Sequence, residues 1–286
     1  MRAFAAGIAV GGLALAWAPA APADLASVPA SADATLIEDA EGGLANGAGP
    51  VFFVGRNNAE VDSIRRALLA FDVAAVVPAG SRVRRVELQL ELTPSNPDAF
   101  EVALHRVFAP WSEGPSAASG GGGASSQPGD VTWLHTDYDE EFWDVPGGDF
   151  EAAPSAWATV AQPGLVVWES TPELVQDVQA WLDAPDGNHG WILIGGEHEP
   201  QTAKSFASHE SGAPEARPRL LVEYEASCDA SDLDPGALGL CRAYCEALAC
   251  TGDEARGSAA ACAHLALGFT RQTGTALPCA RPDSGP

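Results

Sequence analysis

Residues 1–227 contain no cysteine; all six lie beyond them, as Cys228, Cys241, Cys245, Cys250, Cys262 and Cys279. The body must therefore fold without covalent staples. An even set of cysteines in one short segment reads as disulfides in an oxidising compartment. Positive charge is scarce too: 15 Lys and Arg face 39 Asp and Glu, for a formal net charge of −24. A polyanion needs a basic stripe that releases its counterions, so this balance argues against nucleic acid and against anionic lipid as partners. After Trp17 no apolar run approaches the ~20 residues that a spanning helix needs, so no membrane insertion is expected. Signatures of common catalysts are missing as well, with no G-x-S-x-G, no H-E-x-x-H and no Walker loop.

What is present begins with an export signature. Arg2 gives a short positive region, residues 3–17 form a run of small apolar residues, and Pro19-Ala20-Ala21-Pro22-Ala23 offers an A-x-A cleavage signal. Residues 1–23 thus read as a signal peptide, the mature chain starting near Asp24, and the expected location is secreted, extracellular or periplasmic. A membrane anchor is the competing reading, but the run breaks at Pro19.

From about Asp33 to Tyr224 the pattern is that of strands. Val86, Leu88, Leu90 and Leu92 alternate with Arg85, Glu87, Gln89 and Glu91, one face for a core and one for water. Leu69 and Phe71 alternate likewise, and further strands are expected at 51–54, 101–108, 165–169, 191–194, 204–209 and 219–224. Turn signals separate them at Pro78-Ala79-Gly80, Pro94-Ser95-Asn96-Pro97-Asp98, Asp186-Gly187-Asn188 and Gly195-Gly196. Many short strands so punctuated predict an all-β antiparallel sandwich or jelly roll. One helix interrupts the series. Thr171 caps it, Pro172 and Glu173 suit its first turn, and Leu174, Val175, Val178, Trp181 and Leu182 form one apolar stripe. It is expected to cross one end of the sandwich and plug the core.

Residues 116–127 read SAASGGGGASSQ and are expected to be a flexible excursion. With the aromatic and acidic stretch 132–150 they make the longest connection, an insert loop over 114–150. Long loops on a rigid sheet are where binding usually resides. Sugars offer apolar C–H faces to aromatic planes and hydroxyls to planar polar groups. Tyr138, Phe142, Trp143 and Asp144 supply both and are the candidate carbohydrate-binding residues; in the competing reading Phe142 and Trp143 pin the loop to the sandwich. Trp111, Trp133, Trp181 and Trp191 are expected in the core. Asp137, Asp139, Glu140 and Glu141 match no EF-hand spacing and read as a solvated acidic loop.

His105, His198 and His209 are expected to be structural. Ser208-His209-Glu210 is not read as a triad, because neighbours on a strand point to opposite faces. Arg56, Arg65, Arg66, Arg82, Arg84 and Arg85 are concentrated enough to form a positive patch if the fold gathers them.

The tail, 227–286, differs in kind. Asp234-Pro235 starts a helix through Cys250 that puts Cys241 and Cys245 on one face, and 255–273 reads as a second helix carrying Cys262 beside Leu265 and Phe269. Two short helices bury too little to stand alone, and disulfides at ~2–4 kcal/mol each supply the difference. Their connectivity is open, with Cys245 to Cys262 one candidate. A zinc site is disfavoured by the lack of a C-x2-C pair and by His264 being the tail's only histidine.

An ordered set of segments carries a resemblance. It begins with Arg66-Ala67-Leu68-Leu69-Ala70-Phe71-Asp72-Val73 and Pro78-Ala79-Gly80, then Leu104-His105-Arg106-Val107, Trp111-Ser112-Glu113-Gly114 and Val131-Thr132-Trp133. Gly147-Gly148-Asp149-Phe150 follows, then 174–181, Gly190-Trp191-Ile192-Leu193-Ile194, Phe206-Ala207-Ser208-His209-Glu210-Ser211 and 218–224. Over residues 32–226 this series resembles a DNRLRE domain, a group related to the disaggregatase repeats and to carbohydrate-binding module family 96. The resemblance implies a jelly-roll β-sandwich of exported bacterial and archaeal proteins, often beside polysaccharide-degrading modules, with members that bind polysaccharide such as alginate. It also implies no cofactor beyond a structural calcium, for which Glu38 and Asp39 near the first strand are candidates by analogy with other jelly rolls.

The expected function is therefore that of an exported, non-catalytic module binding an extracellular or cell-surface polysaccharide. The alternatives are a structural or interaction protein without a sugar ligand and, more weakly, a polysaccharide hydrolase or lyase. The oligomeric state is not legible. A polyanionic chain would be repelled by the acidic body unless arginines gather or calcium bridges the two.

Overall fold

One strand serves two sheets. In the computed structural model, which describes residues 23–225, β1 (Asp24–Ile37) runs for 14 residues. Its first part pairs with the end of the chain's described part, from Asp24 opposite Tyr224 to Pro29 opposite Arg219. A register shift between Ala30 and Ala32 re-aims it, and Asp33 to Ile37 pair instead with Leu69 to Arg65. Such an irregularity bends a strand and increases its twist, which lets it turn a corner. Residues 1–22 of the expected signal peptide, and the expected helices and disulfides of the cysteine-rich tail, lie outside the described residues.

The remaining strands are β2 (Leu44–Ala45), β3 (Val51–Arg56), β4 (Ile64–Phe71), β5 (Arg82–Leu92), β6 (Phe100–Arg106), β7 (Ala124–Ser125), β8 (His135–Asp137) and β9 (Glu141–Phe142). They are followed by β10 (Ala156–Val160), β11 (Gly164–Trp168), β12 (Trp191–Ile194), β13 (Lys204–Ala207) and β14 (Arg219–Glu225). β1 pairs β14, β14 pairs β5, β5 pairs β11 and β13, and β13 pairs β3, forming the first layer. The second layer is β1, β4, β12, β6 and β10. β3 also meets β4 through Gly55 and Arg56, so β1 and β3 both link the two layers. Every pairing is antiparallel, and the result is a β-sandwich with a single α-helix among the described residues.

The period-two signal in β5 is realised directly: Val86, Leu88, Leu90 and Leu92 are buried while the residues between them are partly wet. These side chains meet Phe52, Phe71, Trp168, Trp191 and Phe206 in the central core. Burial of such side chains contributes about 1.5–3 kcal/mol each. The helix, α1 (Pro172–Asp183), closes the core as its stripe predicts. Thr171 Oγ1 accepts from Leu174 N at 3.0 Å, Pro172 occupies the first turn, and Leu174, Val178, Trp181 and Leu182 are buried in the central cluster. The Trp181 ring lies 4.3 Å from that of Trp191. Trp191 Nε1 donates to Asp177 Oδ2 at 2.8 Å, so the one buried carboxylate of the helix has a partner.

The second layer is covered on both faces. Leu69, Trp191 and Leu193 point into the central core, while Ala34, Leu36, Leu68 and Ile192 form a second cluster with Val107, Val131 and Trp143. That outer cluster lies beneath residues 107–150, which drape over the sheet. Strands buried on both faces read as unbroken apolar runs rather than alternating ones.

The glycine- and serine-rich insert is not a free excursion. Ala118 N donates to Asn46 Oδ1 at 2.7 Å, Gly47 N and Ala48 N donate to Ser116 O at 3.0 Å, and β7 pairs with β2. Arg65, 5% exposed, donates from Nε to Gly121 O at 2.6 Å. Asp130 holds the base of the loop, accepting from Ser116 N at 2.9 Å, from Gln127 N at 2.6 Å and from Ser116 Oγ. Gly114, at φ +77°, passes so close that a Cβ would come within 2.1 Å of Asp130 Oδ1. Small residues here permit close backbone approach, and their polar groups find partners on the sandwich. No helix among the described residues is long and apolar enough to cross a membrane.

Candidate functional site

The four residues expected to form one sugar-binding patch are separated. Trp143 is 5% exposed, donates from Nε1 to Thr132 O at 3.0 Å and packs in the outer cluster, so it pins the loop and presents no plane to solvent. Phe142, its neighbour, points the other way and is 62% exposed. It rests on His135 at 4.3 Å, and half-buried Tyr138 meets the same ring edge-on at 5.0 Å. Burial holds the His135 ring below its ordinary pKa, and Thr132 Oγ1 lies 2.9 Å from its Nδ1. Asp144 lies elsewhere, on the rim of a groove.

That groove is open, measures ≈ 620 Å³ and runs between Phe108 on one side and Val145 and Pro146 on the other. Phe108 is 50% and Val145 61% exposed. Phe150 and Arg66 make the floor, and Asp144 and Asp149 add carboxylates. Local chemistry fixes each wall. Phe108 follows the Val107–Phe150 bridge and donates its N–H to Asp149 O at 2.9 Å, so Val107 faces the sheet and Phe108 the solvent. Asp149 accepts from Asp144 N at 2.7 Å and from Val145 N at 2.9 Å, which closes the tip of the opposite wall. Gly147 sits at φ +91°, and a Cβ there would lie 2.7 Å from Arg66 Nη1 and 2.8 Å from the Trp133 ring.

Arg66 ties the floor together. Its guanidinium takes Glu197 in bidentate fashion at 2.8 and 3.0 Å and donates to Gly147 O at 2.8 Å. It also lies 4.9 Å from the Trp133 ring centre and 5.4 Å from that of Phe150. Beneath Phe150, His105 is buried, with Nδ1 2.8 Å from Glu151 O, and burial lowers its pKa. Trp181 and Trp191 are core residues as expected, whereas Trp111 and Trp133 are only partly buried.

The other candidates are occupied differently. Glu38 Oε2 accepts from Ile64 N at 2.8 Å, and Asp39 Oδ2 from Gly43 N at 2.5 Å, so both carboxylates serve the backbone around β1. Arg84 pairs with Glu225, and Arg85 with Glu87 and Glu169, which makes that face mixed in charge rather than a positive patch. Ser208, His209 and Glu210 lie beyond the end of β13 in a turn, so strand alternation does not govern them. Buried Ser208 donates from Oγ to Gly49 O at 2.7 Å, and His209 faces three carboxylates, which excludes a serine triad on different grounds.

Residue-type reasoning missed Phe108, Val145, Phe150 and Arg66 as a group. The available signal was parity: Phe108 ends an alternating segment on the opposite face from Val107. Compared with known proteins, the chain matches no family model and no curated sequence.

Proposed function

We propose that this protein is an exported, non-catalytic module of the DNRLRE jelly-roll type that binds a hydroxyl-rich polysaccharide along the groove between Phe108 and Val145. The observation that carries the reading is the half-exposed Phe108 ring standing over an open groove beside the carboxylate of Asp144. An aromatic plane takes the C–H face of a sugar ring, and planar polar groups take its hydroxyls. Phe142, beside Tyr138 on His135, offers a second ring outside the groove.

Two features refine the reading. Asp149 is engaged by two backbone N–H groups, which suits a structural clamp better than an acid or base, so binding is favoured over hydrolysis. Arg66 is neutralised by Glu197, and the whole chain carries a formal charge of −24, so a neutral polysaccharide is favoured over a polyanion such as alginate.

Affinity gel electrophoresis and glycan arrays spanning neutral and acidic polysaccharides test this. Retention on a neutral chain, weakened in Phe108→Ala, is the expected result. Folded protein retained by no polysaccharide overturns it.

A further inference from the structure

A second cluster lies away from the groove, where β1, the loop after β6 and the turn after β13 converge. Asp33 is 1% exposed. Its Oδ2 accepts from His209 N at 2.7 Å and stands 3.2 Å from His209 Nδ1. Glu113 Oε1 accepts from Asp33 N at 2.7 Å and lies 3.3 Å from the same ring nitrogen. On the far side of the ring, Glu210 Oε1 is 2.9 Å from Nε2. Two oxygens are left over: Asp33 Oδ1 and Glu210 Oε2 are both buried with no hydrogen-bond partner. Ligand atoms of Asp33, His209 and Glu210 all fall within 4.8 Å of one another.

Three carboxylates around a single imidazole leave a surplus of negative charge even when the ring is protonated. Unpaired buried carboxylate oxygens are destabilising unless something satisfies them. We propose that Asp33, His209 and Glu210, with Glu113 beside them, bind a divalent transition-metal ion, Zn2+ or Mn2+. The donor set of one imidazole nitrogen with carboxylate oxygens matches what such ions accept. Bonds of ~2.0–2.2 Å require these ligand atoms, which lie within 4.8 Å of one another, to close around a common centre on one ring nitrogen. The ion takes up the surplus charge, engages the two orphaned oxygens and staples three chain segments where β1 passes between the layers.

The test is calorimetric titration of the chelator-stripped full chain with ZnCl2 and with MnCl2. It is repeated on His209→Arg, which replaces the ligand with a permanent cation, and on Glu210→Gln. One equivalent of metal is expected, with at least tenfold weaker binding in Glu210→Gln and none in His209→Arg, both folded by circular dichroism. Mn2+, which avoids thiolates, separates this site from the six cysteines. Absence of Zn2+ and Mn2+ binding in folded wild-type protein overturns the proposal, as does unchanged binding in both variants.

Discussion

Replacing Arg66 with methionine removes the post to which the groove is fastened. The Arg66–Glu197 pair is bidentate, and each side chain is only 15% exposed. Breaking a buried pair from one side leaves the other charge uncompensated and costs about 3–5 kcal/mol, whereas an exposed pair is worth about 0–1 kcal/mol. The low exposure places this pair nearer the first figure, at about 3 kcal/mol. Loss of the bond to Gly147 O adds about 1 kcal/mol, and loss of the stacking on Trp133 and Phe150 about 1 kcal/mol more. Methionine returns part of that packing, so a destabilisation of roughly 3–4 kcal/mol is expected from these terms. Urea unfolding with an unchanged m-value measures it. The double variant Arg66→Met with Glu197→Gln removes the stranded carboxylate and should recover about 1–2 kcal/mol of the loss. Destabilisation below about 1 kcal/mol, or a double variant no more stable than the single, would refute the argument.

Three further outcomes are expected. Phe108→Ala should weaken polysaccharide binding about two- to tenfold, the loss of about 0.5–1.5 kcal/mol of stacking, while Trp143→Ala should leave a cavity and lower stability by about 3–5 kcal/mol; thermal unfolding and affinity gels separate the two, and equal effects on binding at equal stability would count against the assignment. In chelator, Glu113→Gln should change the pH dependence of unfolding: desolvation raises Glu113 from 4.5 to about 7, so the folded state binds the extra proton and the wild type loses stability as pH rises through that window. The variant's advantage over wild type should therefore grow between pH 4.5 and 7, and a difference independent of pH would show that Glu113 is not desolvated.

Much of the sandwich was legible because alternation states directly which side chains face inward. Val86 to Leu92 shows this; the unbroken apolar run Trp191 to Ile194 and the capped helical stripe from Thr171 were legible by their own patterns and needed no tertiary information either. The first half of β1 and all of β10 were missed; in β1 the buried Ala26, Val28 and Ala30 are small and alternate with exposed Leu25, Ser27 and Pro29, which leaves little contrast between the two faces. Composition misled at 116–127: glycine and serine report a chain's freedom, not the partners that Asn46, Arg65 and Asp130 hold out to it. Aromatic content found the right loop, but it did not reveal that Trp143 turns inward while Phe142 turns outward. His209 and Glu210 escaped because β13 stops at Ala207, and the following turn brings together groups that a continuing strand would have kept apart.

The pairing of Asp24 with Tyr224 has a consequence for how the molecule is made. The first part of β1, Asp24 to Pro29, and the Arg82–Gln89 part of β5 lack their shared neighbour β14 until Arg219–Glu225 has left the ribosome. Contacts so distant in sequence are slow to form, and an unpartnered strand edge recruits other chains in the meantime. A nascent fragment ending before Arg219 is thus a sticky half-product, and completion arrives in a single late step.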